Sequence, residues 1–127
     1  MQEKHLYEYA VIRILPKVER EEFLNAGIVL FCKKEKFIKV YFAIDEPKLR
    51  LFSKDLDIDQ IRTNLHSFEK IALGTENCGP IAQMDLPSRF RWLTAVRSSV
   101  IQTSRPHPGL CNDLQITAQR LFEELVL

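Results

Sequence analysis

The sequence predicts an α+β fold: a mostly antiparallel sheet of about four strands, with two longer helices on one face and one short helix. Three observations carry this. Stretches dense in aromatic and β-branched residues follow one another through position 44. Two later stretches place apolar residues three or four apart, and glycines and prolines punctuate the chain between them. At 127 residues the chain reads as one domain, 1–127, long enough to bury a core without disulfides or metal.

"YEYAVIRIL" (7–15) is the first strand, and its apolar middle, Ala10-Val11-Ile12, suggests an interior position. "EFLNAGIVLFC" (22–32) is the second, "KKEK" (33–36) a polar turn, and "FIKVYFAI" (37–44) the returning third. Ile58, Ile61, Leu65, Phe68 and Ala72 then share one face of a helix. Asp57 with Gln60 resembles a capping box at its start, and Gly74 supplies the stop. Residues 75–84 form a loop with room for one turn after Pro80. Pro87 opens a short helix through about Val96, and "SVIQT" (99–103) is the fourth strand. "RPHPG" (105–109) is expected to be irregular, because two prolines two apart interrupt both kinds of ladder. Asn112 then caps a helix that buries Leu114, Ala118, Leu121, Phe122 and Leu125.

Bulk properties exclude several classes. A net charge of +1 argues against nonspecific nucleic-acid binding, which calls for a strong basic excess. No apolar run approaches the roughly 20 residues of a membrane span. "MQEKHLYEYA" lacks the layout of a signal peptide, so a cytoplasmic location is expected. Cys32, Cys78 and Cys111 then read as reduced thiols, Cys32 as a small core residue.

Charge is unevenly placed. From Pro87 to Asn112 the chain holds Arg89, Arg91, Arg97 and Arg105, with His107 and no acid, while no lysine follows Lys70. Four of the 18 basic residues lie there, so that segment carries +4. The remainder, 14 basic against 17 acidic, carries −3. Arginine is the residue that grips carboxylate or phosphate through two parallel hydrogen bonds. Thr94, Ser98, Ser99, Thr103 and Ser104 add short donors. Three readings stand: ion pairs within the fold, with Glu19, Glu21, Glu22 or Asp45 as partners; a small-anion or nucleotide site; or a docking surface for an acidic partner.

A second polar cluster interrupts the first two strands. Arg13 and Asn25 sit among apolar residues and need partners there. If the strands pair through the 16–22 connection, Arg13, Glu22 and Asn25 approach one another as a polar network that supports strand register or floors the arginine pocket.

Other signals fall short. Cys78, His107 and Cys111 lack the paired ligand spacing of a zinc site, so no metal is expected. A Cys111–His107 nucleophile pair has nothing to orient its base. "DLDID" (55–59) leads into a helix start, where acids favour the dipole. Walker, dinucleotide and nucleophile-elbow motifs are lacking, and no cofactor is expected.

At "VEREEFLNAGIVLFC" and "RFRWLTAVRSSVIQTSRPHPGLC" the chain resembles the bacterial family known as domain of unknown function 3037. Matching residues are Glu19, Arg20, Glu22, Phe23, Asn25, Gly27, Gly79-Pro80, Arg89 to Thr94, Arg97, Ser98, His107 and Gly109 to Cys111. The resemblance implies a small stand-alone bacterial protein whose gene neighbours a kinase-like protein of the toxin–antitoxin type. It transfers no catalytic assignment.

The function expected is an accessory or regulatory protein that binds an anionic small molecule or an acidic or phosphorylated protein partner. Arg89, Arg91 and Arg97 would grip the anion, Ser98 and Ser99 would donate to it, and Arg105 with His107 would close over it. The alternative is an enzyme on a phosphoester or nucleotide, with His107 as general acid or base.

Overall fold

The first apolar runs form strands because they are rich in β-branched and aromatic residues, which suit a pleated sheet. The computed structural model describes residues 4–17, 20, 22–95 and 99–127. Strand β1 spans His5–Ile14, β2 Leu24–Cys32 and β3 Phe37–Phe42. Helix α1 (Glu46–Phe52) and helix α2 (Ile58–Leu73) follow, then a 3-10 turn at Ile81–Gln83 and helix α3 (Leu86–Leu93). Strands β4 (Ile101–Thr103) and β5 (His107–Cys111) precede the last helix, α4 (Leu114–Leu125). No helix among the described residues is long and apolar enough to cross a membrane.

The sheet is antiparallel, in the order β3-β2-β1-β4, with β5 also pairing to β1. Ile12–Ile14 face β4, whereas His5–Tyr9 face β5. The two short strands therefore lie end to end along one edge of β1. Ser104 bridges the break between them: its N–H donates to the Val11 carbonyl and its Oγ accepts from the Val11 N–H. One side chain thus supplies the hydrogen bond that the interrupted ladder lacks.

The α+β class holds, with three differences from expectation. First, 107–111 is a strand even though Pro108 lies within it, making five strands rather than about four. Proline is tolerated because β5 is an edge strand, where its missing N–H can face away from β1. Second, the two longer helices cover opposite faces of the sheet. Ala10, Ile12, Ile14, Val29 and Phe31 pack with Leu65 and Phe68 of α2, whereas Ile28, Leu30 and Cys32 pack with Leu114, Ala118 and Leu121 of α4. Successive residues of a strand point to opposite faces. The unbroken apolar run Gly27–Cys32 therefore needs a cover on each side. Third, there are two short helices where one was expected. Helix α1 adds a seven-residue piece, capped by Asp45 with Pro47 in its first turn and too short to announce itself by periodicity.

Helix ends follow local chemistry. Asp57 accepts from the Gln60 N–H, but the Gln60 side chain turns to Asn64, so the capping box is not reciprocal. Gly74 closes α2 at φ 68°, a left-handed conformation costly to residues with a Cβ. Asp113, rather than Asn112, caps α4. Its carboxylate accepts from the Ile116 N–H, three residues on, where the orphan donors of a first turn point.

Candidate functional site

Helix α3 presents two of the candidate arginines. Asp85 fixes its start by accepting from the Ser88 N–H at 2.8 Å, and hydrogen bonding from Ser88 holds that carboxyl below its ordinary value. The turn of the helix sends Phe90 and Leu93 into the core, with Phe90 stacked on Phe31 at 4.8 Å between ring centroids. Arg89 and Arg91 consequently diverge.

Among the described residues Arg89 meets no anion. Its Nε donates to the Ala72 carbonyl at 3.3 Å and its Nη1 to the Met84 carbonyl at 2.7 Å. Ala72 lies in the last turn of α2, where carbonyls lack helical partners, so Arg89 serves as a clasp on that end.

Arg91 grips a carboxylate with both arms of its fork. Nη1 and Nη2 donate to the two Glu8 oxygens at 2.9 and 2.7 Å. Four carboxylates were the expected partners, and Glu8 was not among them. Glu22 pairs with Arg20 at 2.6 Å, Asp45 caps α1, and Glu19 and Glu21 lie outside the described residues. Glu8 belongs to the alternate series Glu8, Ala10, Ile12, Ile14 on one face of β1. An acid in an otherwise apolar series is the signal that could have found it.

This pair stands in a groove of about 460 Å³ lined by Leu6, Phe31, Lys33, Pro87 and Pro108 besides the pair itself. Leu6 is 64% exposed, and so, at 61%, is Leu110, its partner across the β1–β5 ladder. Two exposed leucines side by side on a strand pair, next to two cations, form the clearest unpartnered surface of the arginine region.

The remaining candidates separate. Arg97 and Ser98 lie outside the described residues. Ser99 donates to the Ile101 carbonyl, and Thr94 to that of Phe90. Arg105 is exposed, in the break between β4 and β5. His107 is exposed too, with its ring 5.4 Å from that of Tyr9. Because Tyr9 and Glu8 are neighbours in one strand, their side chains take opposite faces. His107 therefore sits across the sheet from Arg91.

The second cluster comes together only in part. Arg13 and Asn25 are ladder partners at a bulge in β1–β2. Arg13 lays its guanidinium over the Phe23 ring at 4.1 Å, and Asn25 donates to the Leu125 carbonyl at the end of α4. Glu22 joins neither. A cleft of about 700 Å³ lies where Asn25, Asp45, Glu46 and the end of α4 meet. Three of its polar side chains already have work: Asn25 ties down α4, Asp45 caps α1, and Glu46 pairs with Arg62.

Cys32 is buried among core residues, and Cys78 and Cys111 are half-buried free thiols. Among the described residues no group of three His, Cys, Asp or Glu side chains is placed to hold a metal ion. Burial pushes the Tyr7 hydroxyl above its ordinary value, reinforced by Cys111 and opposed by Arg120.

Residues 9–126 match the family described as protein of unknown function (DUF3037). The chain belongs to that family. No match was found among curated proteins or solved structures. Seen against the fold, several of the residues that carry the family resemblance have structural tasks. Phe23 underlies Arg13, Asn25 holds the end of α4, and Arg89 clasps α2. Phe90 and Leu93 fill the core, and Gly109 lets the Tyr7 ring lie over the strand.

Proposed function

We propose that the protein is a binding module that receives an acidic segment of a partner protein in the groove beside α3. A single observation carries this reading: exposed Leu6 and Leu110 adjoin a groove whose rim bears Arg91 and Lys33 against one carboxylate, Glu8. Apolar floor and cationic rim together suit a segment with a leucine-like side chain next to a carboxylate or a phosphorylated side chain. Burying the leucines supplies affinity, and the rim charges supply orientation and encounter rate. Arg105 is exposed further along the same edge of β1.

Two synthetic decapeptides of alternating leucine test this, one with glutamate and one with phosphoserine between the leucines, titrated by calorimetry. Both bind the native chain, while a glutamine version binds at least tenfold more weakly, about 1.4 kcal/mol. Leu6→Ser weakens both anionic peptides by a similar factor. Equal binding of all three peptides, or indifference to Leu6→Ser, overturns the reading. So does a sedimentation experiment in which two copies of the chain occupy the groove instead. The catalytic alternative needs His107 and the arginines in one pocket, and Arg91 stands on the other face from His107.

A further inference from the structure

Glu8 lies between Leu6 and Ala10 in the alternate series of β1 that continues through Ile12 and Ile14. A carboxylate in that company must keep its water or find a cation. It finds Arg91, whose Nη1 and Nη2 donate to its two oxygens at 2.9 and 2.7 Å. An arginine fork takes the acid of an incoming segment through the same two parallel bonds. Both members of the pair line the groove beside α3, so the fork is filled where a ligand would need it.

Three features make the occupant exchangeable. The pair is open to water, and ion pairs of that kind are weak. Helix α3 is held by other means: Phe90 and Leu93 are buried in the core, and Arg89 grips the end of α2. Arg91 can therefore change partner while its helix stays in place. Glu8 also has a second cation in reach of the same groove. Its ladder partner on β2 is Phe31, and Lys33, two residues further on, lines that groove as well.

We propose that Glu8 is an autoinhibitory stand-in for the acid of the partner: it fills the Arg91 fork in the free chain and yields it when an acidic segment enters. This rests on the groove reading above and adds the step that gates it. Selectivity follows. A segment that offers leucine alone leaves Glu8 in the fork. An acid alone competes with a carboxylate tethered to the same sheet, whose effective concentration is high. Only a segment that brings both gains the contact with Leu6 and Leu110 that holds its acid against Glu8. A weak pair that leaves the fork free roughly one-fifth of the time lowers the apparent affinity about fivefold.

Calorimetry with the leucine–glutamate decapeptide and its glutamine version reads this in the native chain, Glu8→Gln, Arg91→Ala and the double variant. Glu8→Gln is expected to bind the glutamate peptide about fivefold tighter and the glutamine peptide with unchanged affinity. In the Arg91→Ala background no fork is left to free, so the same substitution should change glutamate-peptide affinity by less than about twofold. Unchanged or weaker binding of the glutamate peptide by Glu8→Gln overturns the proposal. So does a gain that survives Arg91→Ala in full, which would mark Glu8 as a distant repelling charge. Should Glu8→Gln fail to fold, the NMR shift of the Glu8 carboxyl carbon in the native chain decides. Its movement on addition of the glutamate peptide supports exchange, and a fixed shift overturns it. If neither the native chain nor Glu8→Gln binds the glutamate peptide, the groove itself is lost as a site. If the native chain binds and Glu8→Gln gains nothing, only the role of Glu8 is removed.

Discussion

Arg91 and Glu8 join through two parallel hydrogen bonds across 83 positions of sequence, fastening α3 to the first strand. The Arg91 side chain is 58% exposed and that of Glu8 29%, so water screens much of the attraction. A double-mutant cycle of Arg91→Ala and Glu8→Ala, followed by urea unfolding, should give a coupling of about 0.5–1 kcal/mol, shrinking as salt is added. A coupling near zero would leave the pair without a structural role and Arg91 available for binding alone.

Arg89 should behave differently, because it serves carbonyls rather than a carboxylate. Arg89→Ala removes both donors from the Ala72 and Met84 carbonyls and is expected to cost about 2 kcal/mol. Arg89→Lys should recover less than half of that, since one ammonium cannot reproduce a planar fork reaching two carbonyls. Urea midpoints of the two variants check this. Peptide affinity should change little beyond the loss of folded protein.

Gly27 faces the backbone of β3. A Cβ there would run into the Tyr41 carbonyl oxygen and Phe42. Because the obstacle is backbone paired into the sheet, it cannot swing aside. Gly27→Ala should therefore cost about 3 kcal/mol, the upper end of ordinary overpacking penalties. Thermal unfolding reads the loss, and a change within 0.5 kcal/mol, the size of ordinary surface substitutions, would contradict the close β2–β3 approach.

Tyr7 predicts an alkaline limb. Burial raises its pKa in the folded chain above the ordinary tyrosine value near 10. Its contribution to stability is therefore complete below that value. It is lost as pH rises toward the folded pKa, because the unfolded chain releases the proton first. Stability measured from pH 8 to 11 should fall more steeply for the native chain than for Tyr7→Phe. Parallel curves would show that the hydroxyl is not desolvated.

Much of the architecture was legible before any coordinates, and for local reasons. The three early strands, the α2 face built by Ile58, Ile61, Leu65, Phe68 and Ala72, the stop at Gly74 and the buried Cys32 depend on residues near one another in sequence. Periodicity and caps act over a few positions, so reading them requires no knowledge of the neighbours. Misreadings arose where a distant partner decided. Pro108 lies in a strand because β1 offers it an edge, and α4 covers the face opposite α2 because both faces of β2 are apolar.

The arginine segment divides along the same line. Sequence alone determined that positive charge gathers late in the chain, as arginine, without acids nearby. Only the tertiary structure decided what each side chain meets: two carbonyls for Arg89, Glu8 for Arg91, and the opposite face of the sheet for His107. Hydrogen-bond partners are chosen by proximity within a few ångströms, and that proximity is created by strand pairing and helix docking over tens of residues.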